Sequence, residues 1–145
     1  MGKNRLVSNS NTQAVEGSSK QSSAVKSSKR KLDVAVLHVQ ATYNNTTAVL
    51  TDEKGNAVFS SSSGALGFSG AKKGTPFAAA KVGEVLGDKA KAAGVREISV
   101  VVKGVGSGRE SIIRSFSSKG IGITRIVDET PVPHNGPKPP KPRRV

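Results

Sequence analysis

The chain has 145 residues, no cysteine, 3% aromatic residues and a formal net charge of +13. That length suits one domain, and the lack of cysteine excludes disulfides and thiolate metal sites. The excess of 23 Lys and Arg over 10 Asp and Glu points to an anionic partner, nucleic acid first, while no apolar run reaches the ~20 residues that span a bilayer.

The charge is unevenly placed. Residues 1–31 hold seven Lys or Arg and one acid, and residues 131–145 hold four Lys or Arg and none. Between them, twelve basic residues face nine acids, so a nearly balanced domain over 32–130 is expected to carry two basic arms. The Ser/Lys-rich start has too little apolar surface to offset the entropy of ordering and reads as a disordered extension. It has neither the apolar run of a secretory signal nor the apolar face of a transit peptide.

The domain opens with "LDVAVLHVQAT", a β-rich run read as a strand buried on both faces. "YNN" marks a bend, because Asn tolerates the left-handed region. "TTAVLT" and "AVFSSS" form two further strands around the "DEKGN" turn, completing a meander. His38 lies inside the first strand and reads as a core or edge histidine.

A glycine-rich basic loop, "GALGFSGAKKG", leads to Thr75-Pro76, an N-cap followed by the first helical residue. The helix continues with Ala78, Val82, Val85, Leu86 and Ala93 on one face, interrupted by Lys89, and Gly94 stops it. Gly83 and Gly87 are poor helix formers, four residues apart on one face. Either they bring the helix close to the sheet or they are tolerated surface glycines. "VREISVVV" is the fourth strand. Ser107 and Glu110 have the spacing of a capping box for a second helix that carries Ile112, Ile113 and Phe116 and ends at Gly120. "IGITRIVDE" is the fifth strand. The order βββαβαβ gives an α/β fold with a mixed five-stranded sheet. Its last crossover is parallel and right-handed, and helices cover it. The tail holds six of the seven prolines and should be extended.

Two loops carry the chemistry. "KGVGSGRE" places Gly104, Gly106 and Gly108 between a strand and a helix, with Lys103 and Arg109 beside them. The dinucleotide fingerprint needs glycine, and Walker A needs the Gly of Gly-Lys-Ser/Thr, where Arg109 stands. Asp128 sits where a ribose-binding acid would be, but no further βαβ unit follows to complete a nucleotide site. The loop therefore reads either as a bare tight turn or as exposed amides and cations for a phosphate. The "GAKKG" loop repeats the design with Lys72 and Lys73. Asn44 and Asn45 either hydrogen-bond RNA or cap their bend. The scarcity of aromatic residues favours recognition by charge and shape over base stacking. Asp33, Asp52, Glu53, Asp128 and Glu129 have no spacing that compels a two-metal site. A ribonuclease-H-like nuclease and a nucleotide-binding protein remain as alternatives.

Together, "HVQATYNNTTAVLTDEKGNAV", "GFSGAKKGTPFAA", "VVKGVGSGRESIIR", "GITRIVDETPVPHNG" and the closing "PPKPRRV" resemble the small-subunit ribosomal protein S-eleven family of bacterial or organellar type. They cover nearly all of Leu32 to Val145. The resemblance implies a ribonuclease-H-like topology and a non-catalytic protein without cofactor or metal. It implies binding to small-subunit ribosomal RNA in the platform, beside the messenger RNA exit-side cleft, in a cytoplasmic or organellar ribosome and not in a membrane. Neighbours would resemble S-seven, S-eighteen and S-twenty-one. The implied RNA contacts are Asn44, Asn45, Lys72, Lys73, Lys103, Gly104, Gly106, Ser107, Gly108 and Arg109. Arg114 and Lys119 of the second helix join them, with His134, Asn135, Lys138, Lys141, Arg143 and Arg144 in the tail. The chain departs from the family in "GVGSG", where prolines commonly alternate with glycine. It departs again at Pro137 and Lys138, where cysteine and arginine usually follow "PHNG". Pro137 removes an amide donor, and Lys138 lacks the bidentate fork of arginine.

Overall fold

The computed structural model describes residues 31–144. The basic extension expected over residues 1–31 lies outside these residues except for Lys31. Five strands and two helices follow in the expected order: β1 (Val34–Ala41), β2 (Thr46–Thr51), β3 (Ala57–Ser62), α1 (Pro76–Ala93), β4 (Glu97–Lys103), α2 (Gly108–Ser117) and β5 (Gly122–Asp128). A short 3-10 turn, Gly70–Gly74, precedes α1 and had no sequence expectation. The sheet order is β3-β2-β1-β4-β5. β2 runs antiparallel to β1 and β3, and β4 is parallel to β1 and β5.

The core is one layer thick, between the sheet and the two helices. Leu37, Val39, Leu50, Ile98 and Val100 of the sheet meet Val82, Leu86, Ile112 and Phe116 of the helices, all at most 1% exposed. β1 is buried on one face only, not two: Ala35, Leu37, Val39 and Ala41 point inward, while His38 and Gln40 are exposed. His38 is therefore not a core histidine. Both helices pack on the same side, so no helix among the described residues covers the opposite face of the sheet. The alternation "VLHVQA" already carries the period-2 signature of a half-buried strand. The apolar richness of the run obscured it.

Thr75 caps α1 as its sequence requires. Its hydroxyl accepts from the Ala78 amide at 3.3 Å and donates to the Lys72 carbonyl at 2.7 Å. Gly94 closes the helix at φ +88°, a left-handed conformation that glycine adopts without strain. The buried face runs through Ala78, Ala79, Val82, Gly83, Leu86, Gly87 and Ala90, with Val85 and Ala93 only partly covered. Lys89 is exposed and does not interrupt it. Gly83 and Gly87 face α2 rather than the sheet. A Cβ at Gly83 would lie 2.6 Å from the Ile112 carbonyl oxygen, and one at Gly87 would lie 2.7 Å from Lys119 Cγ. These glycines let the two helices approach closely.

The capping box at α2 does not form. Ser107 occupies the N-cap in a helical conformation without a side-chain cap. Its hydroxyl instead donates to the Gly74 carbonyl at 2.9 Å. A tertiary acceptor has won over the local one. α2 also ends at Ser117, before the turn whose Gly120 has φ +85°. No described helix is long and apolar enough to cross a membrane.

Candidate nucleic-acid interface

β1, β3, β4 and β5 point the same way, so their carboxyl ends lie at one end of the sheet. Three loops meet there, a common place for ligands in open α/β sheets. The β1–β2 turn is closed by the Thr42 amide on the Asn45 carbonyl at 2.8 Å. The Thr42 hydroxyl accepts from the Asn45 amide at 3.1 Å. The Asn45 side chain thus sits within the bend, donating to Thr47 Oγ1 at 3.3 Å, while Asn44 is exposed. The 3-10 turn leans on this bend. Any Cβ at Gly74 would collide with the Tyr43 carbonyl.

The β4–α2 loop packs on the other side. A Cβ at Gly104 would overlap the Ala41 carbonyl, one at Gly106 the Thr42 carbonyl, and one at Gly108 the Thr46 hydroxyl. Gly104 and Gly106 therefore serve close approach of main chain to main chain, and Gly108 close packing against the Thr46 and Ala79 side chains. Two of their amides are used within the chain, which corrects the expectation that they stand exposed. Gly106 donates to the Ala41 carbonyl at 2.9 Å, and Gly104 to Thr130 Oγ1 at 3.2 Å. The first-turn amides of α2 lack a side-chain cap, because Ser107 is engaged with Gly74.

Arg109 locks the arrangement. Its guanidinium donates to the Gly104 carbonyl at 2.6 Å and pairs with the Asp128 carboxylate. Asp128 also accepts from the Thr130 hydroxyl and amide. The Thr130 hydroxyl and the Arg109 guanidinium hold its carboxyl down at about 2. The acid that mimicked a ribose ligand is the anchor of Arg109. Sequence reading missed Thr130, which has no motif of its own. The signal lies in its position two residues after Asp128, the usual reach of a carboxylate to its own backbone.

Most acids of the domain that are not paired with a cation among the described residues lie away from the three loops. Asp33, Asp52, Glu53 and Glu97 lie at the end opposite the three loops, around the start of β1, the β2–β3 turn and the start of β4. At the loop end, Asp128 and Glu129 are both paired, the latter with Lys103 at 3.4 Å. Lys72 and Lys73 form no ion pair among the described residues. The carboxylates do not converge: Asp33 and Asp128 sit at opposite ends of the sheet. No group of three or more His, Asp or Glu among the described residues could hold a metal ion.

The structure thus brings together Asn44, Asn45, Lys72, Lys73 and the segment Lys103 to Arg109. The tail leaves from the same end, after Glu129 donates its amide to the Val102 carbonyl at 2.9 Å. His134, Asn135, Lys138, Lys141, Arg143 and Arg144 are all exposed on it. Two residues fall elsewhere. Lys119, beyond the far end of α2, is bound to Asp88 at 2.9 Å. Arg114 lies beside Ile113, Ile123 and Ile126 in a groove between α2 and β5.

The sequence model of the family described as ribosomal protein S11 matches residues 35–144. The chain is 48% identical over 126 residues to the small ribosomal subunit protein uS11 of Solibacter usitatus (strain Ellin6076), covering 87% of this chain and 93% of that protein.

Proposed function

The chain belongs to the ribosomal protein S11 family, and from that premise we propose that it is a structural constituent of the small ribosomal subunit that binds ribosomal RNA. The loop end of the sheet and the tail make the contacts. The observation that carries this is the convergence of three loops and a basic tail at one end. There the acids are neutralised internally, while Lys72 and the tail cations are exposed and half-buried Lys73 has no ion-pair partner among the described residues. Such a surface attracts phosphates and gains affinity by releasing counterions. The first-turn amides of α2 add a local positive potential.

The contact set is Asn44, Lys72, Lys73, Ser107 and the tail from His134 to Arg144, with Lys103 shared with Glu129. Arg109 acts indirectly, by holding the loop. The protein sits in the platform beside the messenger RNA exit-side cleft, next to proteins of the S-seven, S-eighteen and S-twenty-one types, and performs no catalysis. The test is a density map of small subunits from cells carrying the tagged chain, together with sedimentation of their extract. Co-sedimentation with small subunits and loop-end density against RNA are expected. A chain that sediments free, or whose loop end faces solvent in the map, would overturn the reading.

A further inference from the structure

The aromatic residues are four Phe and one Tyr. Phe59 and Phe116 pack into or against the core. The other three gather at the loop end. Tyr43, in the β1–β2 bend, is 80% exposed, and Phe77, in the first turn of α1, is 64% exposed. Their segments touch, because the Tyr43 carbonyl abuts Gly74, shortly before Phe77. Half-buried Phe68 meets Phe77 edge to face, with ring centroids 6.0 Å apart and planes at 83°. That contact holds the Phe77 ring in place and leaves most of it open. The Lys81 ammonium sits 5.7 Å from the same ring centroid. Rings and cations thus interleave along the chain: Phe68, Lys72, Lys73, Phe77, Lys81. Lys81 is shared with Glu84, whereas Lys72 and Lys73 form no ion pair among the described residues. The stretches 34–51 and 54–83, which supply all these groups, contain no acid. Glu110, at the start of α2, lies in the groove with Ile123 and Ile126, on the β5 side of that helix.

We infer that Tyr43 and Phe77 stack unpaired RNA bases, so that the loop end holds a single-stranded stretch by its bases as well as by its phosphates. The inference rests on the ribosomal RNA-binding reading and extends it. Aromatic residues are scarce over the whole chain, but the fold collects the exposed ones in one place. Rings left this open in water gain free energy when a flat apolar surface covers them. Every base offers such a surface, and rings set among cations are how proteins hold single strands: the rings take the bases and the cations the phosphates. Charge selects RNA over an apolar protein partner, since Lys72 and Lys73 interrupt the surface between the rings and no acid in these stretches offsets them. The site is also continuous with the phosphate-binding loops. Ser107 donates to the Gly74 carbonyl, and Gly106 lies against the Thr42 carbonyl, next to Tyr43. Val105, 59% exposed on that adjoining loop, adds apolar surface beside Tyr43.

The experiment uses the full chain and two probes: single-stranded RNA of about 10 nucleotides, and inorganic polyphosphate of matched charge, which has no bases. Tyr43 is the only tyrosine and the chain has no Trp, so intrinsic emission reports this one ring. RNA is expected to quench it, after correction for absorbance, and polyphosphate to leave it unchanged. Affinity is read from the anisotropy of labelled RNA and from its displacement by polyphosphate. Phe77→Leu, which keeps an apolar side chain against Phe68, should bind RNA about tenfold more weakly, the loss of one base stack. Its salt slope, its polyphosphate affinity and its Tm should match the parent's, because no phosphate contact is removed. Phe77→Trp should bind RNA like the parent. Lys72→Ala/Lys73→Ala should weaken both probes and lower the salt slope by about 1. A Phe77→Leu chain that binds RNA like the parent, or Tyr43 emission that RNA leaves unquenched, overturns the stacking; if the lysine variant still weakens, the ribosomal reading stands. A parent chain with no measurable RNA affinity overturns both. A Phe77→Leu chain with parental RNA affinity that no longer sediments with small subunits would give the ring to a protein neighbour and refute base stacking there.

Discussion

Alanine at Gly83 and alanine at Gly87 should change stability in opposite directions, although both are buried glycines of the same helix, one turn apart. In an unhindered helix each substitution gains about 1 kcal/mol of propensity. At Gly83 the new methyl group would lie 2.6 Å from the Ile112 carbonyl oxygen and 3.0 Å from Ser115 Cβ. The carbonyl belongs to the α2 main chain and can yield only if the helices separate. Overpacking of this kind costs about 1–3 kcal/mol, and a main-chain obstacle puts it in the upper half of that range. The net loss is about 1–2 kcal/mol. At Gly87 the obstacle is Lys119 Cγ at 2.7 Å, on a flexible side chain, while the nearest main-chain atom is 3.7 Å away. Lys119 can swing aside, sacrificing its surface pair with Asp88, which is worth about 0–1 kcal/mol. The net gain is about 0.5 kcal/mol. Urea unfolding followed by far-UV circular dichroism measures this, since the chain has no Trp. With a slope of about 2 kcal/mol/M, the Gly83→Ala midpoint should fall by about 0.5–1 M and the Gly87→Ala midpoint rise by about 0.25 M. Shifts of one sign at both positions, or a Gly83→Ala chain as stable as its parent, would refute the helix-contact explanation.

Three further outcomes are expected. Replacing Thr75 with Ala removes the cap of α1 and its bond to the Lys72 carbonyl, lowering stability by about 1–2 kcal/mol. Calorimetry should register a Tm drop of about 4–8 °C per kcal/mol, largely restored by Thr75→Ser. The Asp128 carboxyl should titrate near its depressed value of about 2 rather than at 3.8. A depressed native pKa means that its contribution is complete above the unfolded value, and is lost as pH falls from 3.8 toward 2. Carbon-13 titration of the carboxyl should show this, with the midpoint rising in Arg109→Gln; a midpoint near 3.8 in the parent would show that the clamp is absent. Removal of residues 137–145 deletes four cations, so the salt slope of RNA binding should shrink by about 3. An unchanged slope would place those cations in solvent.

The sequence by itself determined the element order, the cap and stop of α1, the location of both cationic glycine loops and the basic character of both ends of the chain. Each of these is encoded within a few neighbouring residues: Thr75 before Pro76, Gly94 after an apolar face, lysines between glycines. Only the tertiary structure decided what those residues meet. Ser107 has the spacing to cap α2 through Glu110, yet the Gly74 carbonyl, 33 positions away, takes its hydroxyl. Arg109 carries a cation legible in the sequence, but its partner is Asp128 at the end of β5. Gly83 and Gly87 read equally as a close approach to the sheet or as tolerated surface glycines, and the structure turns them to α2 instead. The open face of the sheet was hidden for the same reason. Strand periodicity says which side chains share a face, but the faces are assigned when the helices pack, because burial is a property of neighbours distant in the chain.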